Sequence, residues 1–574
     1  MKEDNFKLSI MKKSKHFLFL FALIIAFSAN SFAQVWAWAN SAGGPQKVES
    51  YAIAIDKSGN SYITGWFEDS LTIGSTTLVA TVTNNAWASD IFIAKYDING
   101  NFIWAKKAGG ANYDYGNGIA TDAVGNVYVI GLFSLTATFG THTVTSAGDY
   151  DVFIAKYDSN GNALWVNRGG GSGWDVGNGI TIDKHGNCYV AGAFRNTGAF
   201  GTASLVSAGN YDGFVAKYDS TGAFLWAKRG GGTGDDRAQG ITTDAADNCY
   251  VTGYFDGTAT IGITSLTSAG SSDIWIAKYD AVGNQIWAKK AGGTLEDEAL
   301  AISADDAGNT FVTGYFTGAA LFGGGLDTST VISAGFEDIF AGKFDYKGDL
   351  KWIKRFGGAM PDKGYGISTD TSGNCYVAGS FFGTAQFDTI TSVSANQDDA
   401  FVAGLNYFGR AKWVVHGGGV NSDAGKGIAA SGSGSCYTTG FFGTAADFGT
   451  HNITGFSTTD NSLFIAKVDS TSIINPVNVN EEALKLNGLD VYPNPSDTDV
   501  TVQFETTVSG EQISVELYDI LGKAVTQKAG ISQIKNFHNK KQLIISRKNL
   551  PDGLYLVKVI AGNKIYSTRL MLVK

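Results

Sequence analysis

Tryptophan returns seven times at nearly constant spacing, at Trp38, Trp104, Trp165, Trp226, Trp287, Trp352 and Trp413, with intervals of 66, 61, 61, 61, 65 and 61 residues. Each heads a segment such as "WAKKAGG", "WVNRGGG" or "WAKRGGG". A period this long marks one supersecondary unit that cannot bury both its faces alone and must stack on copies of itself. A second set of aromatics, Phe92, Phe153, Phe214, Trp275, Phe340, Phe401 and Phe464, opens segments like "FIAKYD" and also numbers seven. Each repeat reads as four strands, exemplified by "GIATD", "NVYVIGLF", "FIAKYD" and "ALWVNR", rich in β-branched and aromatic residues and bounded by glycine or aspartate. The links "DAVGN" and "DSNGN" are short turns with glycine placed for positive φ. Apolar or small residues on both strand faces call for sheets packed on both sides.

A four-stranded sheet repeated seven times is the plan of a β-propeller; the short coil of a parallel β-helix fits a 61-residue period poorly. The two ends of the array are offset. The chain enters with "VWAWANSAGG", a fourth strand without the other three, whereas "FIAKVDSTSI" at Phe464 runs to Pro476 and has no fourth strand. Strand Val35 to Asn40 is therefore expected to complete the seventh sheet and hide both edges. With 75 glycines, 6 prolines and 13% aromatics, the expected fold is all-β: a seven-bladed propeller closed by an N-terminal strand, then a small β-sandwich.

The formal charge of −10 resides in the middle of the chain, which lacks a basic stripe, and this argues against nucleic acid as a partner. "MKKSKH", the apolar run "FLFLFALIIAF" and the small-residue site "SFA" read as an export signal over 1–33, cleaved between Ala33 and Gln34. No later run of about 18 apolar residues follows, so no transmembrane segment is expected in the mature chain. Cys188, Cys249, Cys375 and Cys436 occupy one slot of four repeats. Equivalent slots lie a whole repeat apart, beyond the ~7 Å that a disulfide spans, so buried thiols are expected.

Residues 118–171, "GIATDAVGNVYVIGLF" followed by "DVFIAKYDSNGNALWVNRGG", resemble the bacterial seven-bladed β-propeller repeat family (SBBP), and the resemblance extends over Gln34 to Ser470. It implies an extracellular bacterial protein of a kind mostly without assigned activity. The first copy has Tyr51 for the opening glycine and the last has Ser431 for the turn aspartate. Residues 471–486 read as a linker, and residues 487–574 alternate apolar and polar positions between turns as a β-sandwich does. Within them "VYPNP" (Tyr492, Pro493, Asn494, Pro495), "LYDILGK" with Gly522, "LPDGLYLVKV" with Gly553 and Tyr555, and terminal Lys574 resemble the type A sorting domain of the type IX secretion system. That resemblance implies a Bacteroidetes-type cell, Sec export, the type IX machinery as partner, a secreted or outer-surface location, and removal of the tail.

In a propeller, the links from strand two to three and from strand four to the next strand one share a rim. Here those are the long ones, so any ligand face is expected there. Asp114, Asp175, Asp236, Asp297, Asp362 and Asp423 recur on that rim, with Val48 in the seventh place. Asp90, Asp151, Asp212, Asp273, Asp338 and Asp399 precede strand three, with Ser462 last. Such rings can hold a cation, but an aspartate in every repeat is more simply a turn residue accepting backbone N–H bonds. Function breaks repeat symmetry, which directs attention to Trp87, Tyr113, Tyr115 and Trp174, aromatic planes beside acids that suit a sugar or that pack loops onto blades. The turns "DINGN" and "DSNGN" lack the closing glutamate of an EF-hand, the histidines show no paired spacing, and no nucleophile elbow occurs. No cofactor and no catalytic residue are expected. The expectation is an exported, non-catalytic propeller that binds a glycan or surface protein; the alternatives are a polysaccharide hydrolase or lyase using rim carboxylates, or a structural surface component.

Overall fold

The computed structural model describes residues 33–81, 88–324, 327–432, 434–471, 489–492, 499–505, 513–519, 525, 530–531, 535–537, 540–546, 550, 553–561 and 564–572. The chain divides into two compact bodies, Met1–Ile473 and Ile474–Lys574. The first is built of antiparallel sheets, one per repeat. In repeat two the order is Tyr115–Thr121, Val127–Phe133, Asp151–Tyr157 and Ala163–Gly171, with Val129 opposite Ala155 and Ala155 opposite Val166. The two middle strands are buried along their whole length, consistent with sheets covered on both faces.

The first strands, Val48–Ile55, Tyr115–Thr121, Val176–Ile182, Arg237–Thr243, Asp297–Ala304, Asp362–Thr369 and Ala424–Ala430, touch one another in sequence, and the last touches the first. They form the innermost layer of a closed cycle. Closure is made by Ala33–Ala42, which pairs antiparallel with Ser462–Thr471: Val35 lies opposite Asp469, Asn40 opposite Ile465 and Ala42 opposite Leu463.

The long link between strands two and three is not the free loop its length suggests. In repeat two it folds into a hairpin, Thr136–Phe139 with His142–Thr145, which adds to the outer edge of the preceding sheet through Ala137 opposite Gly110 and Phe139 opposite Ala108. Most sheets therefore have an outer extension borrowed from the next repeat. The alternation in "TATF" explains it: Ala137 and Phe139 are buried while both threonines face water.

A second tether crosses the same seams. Tyr62, Lys95 and Trp104 sit opposite one another across three strands, with the Lys95 ammonium 5.0 Å from the Tyr62 ring centroid. Lys95 Nζ and Trp104 Nε1 both donate to the Ser159 carbonyl of the next repeat, at 3.3 and 3.2 Å. The turn carrying Ser159 contains Gly161 at φ +78°, where an added Cβ would lie 3.1 Å from the Trp104 ring. This turn thus needs glycine both for its left-handed backbone and for the close approach of the indole. The recurrence of lysine, tryptophan and turn glycine follows from this contact. Cys188, Cys249, Cys375 and Cys436 are free, buried thiols in the second strands.

In the second body, one sheet contains Val500–Glu505 and Lys540–Ser546, and another Ile513–Asp519, Gly553–Ala561 and Lys564–Leu572. Val502, Leu543 and Ile545 of the first share a core with Leu517, Val557, Val559 and Leu570 of the second, which makes a β-sandwich.

Trp36 carries the closing strand's largest buried contact: it is 5% exposed, its ring edge meets Phe448 at 4.9 Å, and its Nε1 donates to the His416 carbonyl at 3.1 Å. Trp36→Ala is expected to cost about 3–5 kcal/mol. Urea unfolding followed by tryptophan fluorescence measures this, and an unchanged midpoint would show that the closing strand does not hold the ring.

Candidate functional site

The recurrent aspartates turn out to be internal braces. Asp114, Asp175, Asp236, Asp297, Asp362 and Asp423 are all fully buried. Asp114 accepts from the Gly110 N–H at 2.6 Å and the Ser134 N–H at 3.1 Å, joining the end of one sheet to the start of the next hairpin link. The other five repeat the pattern, as Asp175 does with Gly171 and Arg195. The second series is equally buried and ion-paired, Asp90 with Lys107, Asp151 with Arg168, Asp338 with Arg355. Between each pair of acids stands a glycine. A Cβ on Gly109, at φ +133°, would fall 2.4 Å from Asp90 Oδ1 and 2.9 Å from Asp114 Oδ2. That is why the fourth strands end in a glycine pair. Placing the first series in a ligand-facing ring is therefore corrected: its oxygens are spent on backbone N–H groups. Among the described residues no cluster of three metal-ligating side chains occurs.

Of the aromatics singled out, Tyr115 is half-buried, its ring 5.2 Å from Trp66 and 6.4 Å from Tyr113. Trp174 is 43% exposed and lies 4.7 Å from Tyr150 at an interplanar angle of 30°. Trp87 lies outside the described residues. Gln34 belongs to the closing strand, as does Ala33. In the tail, Tyr492 ends a strand, Gly553 opens one and Tyr555 is buried, whereas Pro493, Asn494, Pro495, Gly522 and Lys574 lie outside the described residues.

The residues that break the repeat lie one and three positions after the first aspartate series. The first column reads Glu49, Tyr115, Val176, Arg237, Glu298, Lys363, Ala424; the second reads Tyr51, Asn117, Asn178, Gln239, Leu300, Tyr365, Lys426. Every first strand skips one register at the second column, as between Gly364 and Gly366 or Gly425 and Gly427. This β-bulge frees one side chain per repeat from the ladder and re-aims it. Because the first strands form the innermost layer, both columns surround the central mouth on the long-loop rim.

Charges and rings interleave there. The Lys426 ammonium sits 3.4 Å from the Tyr365 ring centroid, and Lys363 sits 4.0 Å from that of Tyr315. Arg237 holds Asp235 with two hydrogen bonds, at 2.8 and 3.0 Å, and lies 4.3 Å from the Tyr211 ring. The Tyr315 hydroxyl donates to Glu296 Oε1 at 2.7 Å. Burial, with the neighbouring Glu296 charge, pushes the Glu298 carboxyl up to about 7 although Tyr315 opposes the shift. Within the first strand of repeat one the Tyr51 hydroxyl donates to Glu49 Oε2 at 3.1 Å, and across the seam Asn461 Nδ2 donates to Glu49 Oε1 at 2.8 Å.

The tight-turn rim has concavities too. Grooves of 450 and 400 Å³ run between repeats, one lined by Gln34, Asp370, Asn374 and Trp413, the other by Asp305, Asn309, Ser372 and Tyr407. These concavities lie on the tight-turn rim, not on the long-loop rim that loop length alone would suggest. Two of their acids, however, are engaged in their own turns, Asp370 with Ser372, Asn374 and Tyr376, and Asp305 with Ala307 and Asn309. The mouth, not the grooves, collects the side chains that the repeat does not explain.

Residues 490–574 match the family model of the secretion system C-terminal sorting domain, and residues 38–66, 103–132 and 351–380 match that of the β-propeller repeat SBBP. The protein is thus an SBBP-repeat β-propeller with a type IX sorting domain, exported to the cell surface or secreted through that system. An uncharacterized WD repeat-containing protein of Acanthamoeba polyphaga mimivirus is 26% identical over 408 residues, 57% of this chain and 29% of its own length. The regulatory protein FlaEY of Caulobacter vibrioides is 27% identical over 110 residues, 19% of this chain and 12% of its own length. The chain thus spans under a third of either curated relative. Among solved structures, a puromycin hydrolase aligns with TM-score 0.34 and 8% identity, covering 82% of this chain and 62% of its own. A DUF4221 family member from Bacteroides vulgatus aligns with TM-score 0.26 and 11% identity, covering 60% and 92%. At these scores neither likeness bears on chemistry. No helix among the described residues is long and apolar enough to cross a membrane.

Burial pushes Asp114 up to about 8, Asp175 to about 6, and Asp236, Asp297, Asp362 and Asp423 to about 7, against the lowering by their backbone N–H partners. Each folded value exceeds the unfolded one near 3.9, so the folded state holds extra protons. Their contribution to stability is whole below about pH 4 and is lost as pH rises through 6 to 8. The urea midpoint is expected to be lower at pH 9 than at pH 6, and Asp114→Asn should flatten that slope. Equal midpoints for the unmodified chain at the two pH values would contradict the protonated state.

Proposed function

We propose that this exported propeller is a non-catalytic binding protein, with the long-loop mouth as its ligand seat and a glycan at the cell surface or in the medium as its ligand. The observation that carries this reading is the convergence of the two non-repeating columns on one mouth. A structural brace recurs in every repeat, whereas a single ligand needs different groups from different blades. Aromatic faces beside polar and charged groups, as at Tyr365, Tyr115 and Arg237, are what a sugar ring with its hydroxyls requires.

A second reading, hydrolysis or elimination on a polysaccharide, is favoured by the Glu298 carboxyl, pushed up to about 7 beside Glu296 and Tyr315. A general acid needs such a value near neutrality.

Glycan-array binding by the exported chain, run beside a polysaccharide-cleavage screen, separates the two. Binding without cleavage is expected, with Tyr365→Ala weakening it at least tenfold while the thermal midpoint stays within a few degrees. Cleavage abolished by Glu298→Gln would replace the binding reading with the catalytic one, and silence in both assays would leave a structural role. Export itself has a separate check: a chain ending before Asn487 should accumulate in the periplasm, and its normal appearance outside the cell would remove the tail's role in sorting.

A further inference from the structure

We infer that the mouth selects an anionic glycan, with Lys426 and Lys363 receiving a carboxylate or sulfate carried on a sugar ring and Tyr365 forming part of the wall beside it. This rests on the binding reading above and narrows it to a class of ligand.

Lys426 is the reason. It occupies the bulge position of the seventh first strand, half-buried, with its ammonium 3.4 Å from the Tyr365 ring and 5.5 Å from that of Phe441. Lys343, set over the Phe311 and Tyr407 rings, is buried without a hydrogen-bond partner, but Lys95, Lys156, Lys217 and Lys278 each reach a carboxylate within 4.0 Å or a backbone carbonyl. Among the described residues Lys426 has neither. At the same bulge in repeats two and three, Asn117 and Asn178 spend their amides on the Gly177 and Ala238 carbonyls of the next strand, at 3.0 and 2.9 Å, so lysine is not needed there to join blades.

The surroundings make the missing anion more conspicuous. Burial, with the like charge of Lys363, lowers the Lys426 ammonium to about 8 despite the pull of Glu49 and Asp398. Lys363 is itself only loosely committed, 3.6 Å from Glu337 with both side chains 29% exposed. Such an exposed pair holds weakly and yields readily to a better-placed anion. Two neighbouring cations on aromatic faces, one without a counter-ion, cost the free protein electrostatic energy that an incoming anion recovers. Of the acids that act on it, Glu49 is already held by Tyr51 and Asn461, and Asp398 accepts from the Ser422 hydroxyl. A sugar is favoured over an acidic peptide because the remaining contacts are the half-buried flat rings of Tyr365 and Phe441, not paired pockets at strand spacing.

Titration calorimetry on the full exported chain tests this with three polymers: polygalacturonate, the same polymer with its carboxyls reduced to alcohols, and dextran sulfate. At least one polyanion should bind tenfold or more tightly than the reduced polymer; preference between the two assigns the anion to carboxylate or sulfate. Lys426→Met should erase most of that difference and Lys426→Arg should keep it. If Lys426→Met does not fold, as judged by its thermal transition, Lys363→Met provides the same comparison. Equal binding of charged and reduced polymers would overturn the anionic selection while leaving the glycan reading standing. Binding by none of the three, with glycan arrays also silent, would take down both. Tight binding of poly-glutamate at the same lysines without any polymer response would overturn the sugar carrier, and full affinity in both lysine variants would move the seat elsewhere.

Discussion

Every functional feature of this propeller depends on one antiparallel pairing, that of Ala33–Ala42 with Ser462–Thr471. Without it the seven sheets form an open array with a raw strand edge at each end. With it, Glu49 and Tyr51 of the first repeat are brought to Asn461 and Lys426 of the last, residues more than 370 positions away in the chain. The mouth is a property of the closed ring, and its chemistry straddles the seam. Pairing partners so distant in sequence is costly in loop-closure entropy, which the large buried contacts of Trp36 and the full ladder of backbone bonds offset.

The seam is built differently from the other six junctions. Those junctions bury two aspartates and a paired cation or histidine around a glycine, as Asp399, Asp423 and His416 do around Gly418. At the seam, Ser462 and Val48 stand in place of the acids, and Ser41 in place of the cation. The Ser462 hydroxyl would lie 2.8 Å from a Cβ on Gly43, so the geometry is kept while the charges are gone. Within a repeat, the acids and their partner are close in sequence and are desolvated together as the sheet forms. At the seam they would come from opposite ends of the chain, and a buried acid awaiting its partner carries a heavy desolvation cost. A neutral junction removes that cost at the one place where the partners meet across the greatest sequence distance.

What was legible in the sequence was whatever recurs. The strand order, the turn glycines and the offset of the two ends follow from identical residues at fixed spacing, because identical packing demands identical side chains. The outer hairpins were hidden for a different reason: "TATF" and "HTVT" alternate as strands do, but each is only four residues long, and their partner strand lies in the preceding repeat. The aspartates recur and were correctly suspected of structural work, yet their recurrence also drew attention to them as a ligand ring. Lys363, Tyr365, Glu298 and Lys426 fit no consensus, so the repeat pattern does not mark them. The signal that finds them is the reverse of a motif: a column of an otherwise faithful repeat in which residue type and charge sign change from one repeat to the next.

That signal acquires physical meaning only through the bulge. In a regular strand the residues one and three after the aspartate point to the same face, and substitution there would alter packing against the next blade. The register slip at Tyr51, Asn117, Asn178, Gln239, Leu300, Tyr365 and Lys426 takes one residue per repeat out of that constraint. The fold therefore supplies seven positions around one opening where side chains vary without disturbing the sheets. Repeats two and three use theirs to stitch neighbouring strands, repeats six and seven use theirs to set Lys426 against Tyr365, and repeat one uses its own to hold Glu49 through Tyr51. A ring whose every other feature is fixed by packing has thus kept a free column at its centre, and the side chains gathered there are the ones through which it can distinguish one ligand from another.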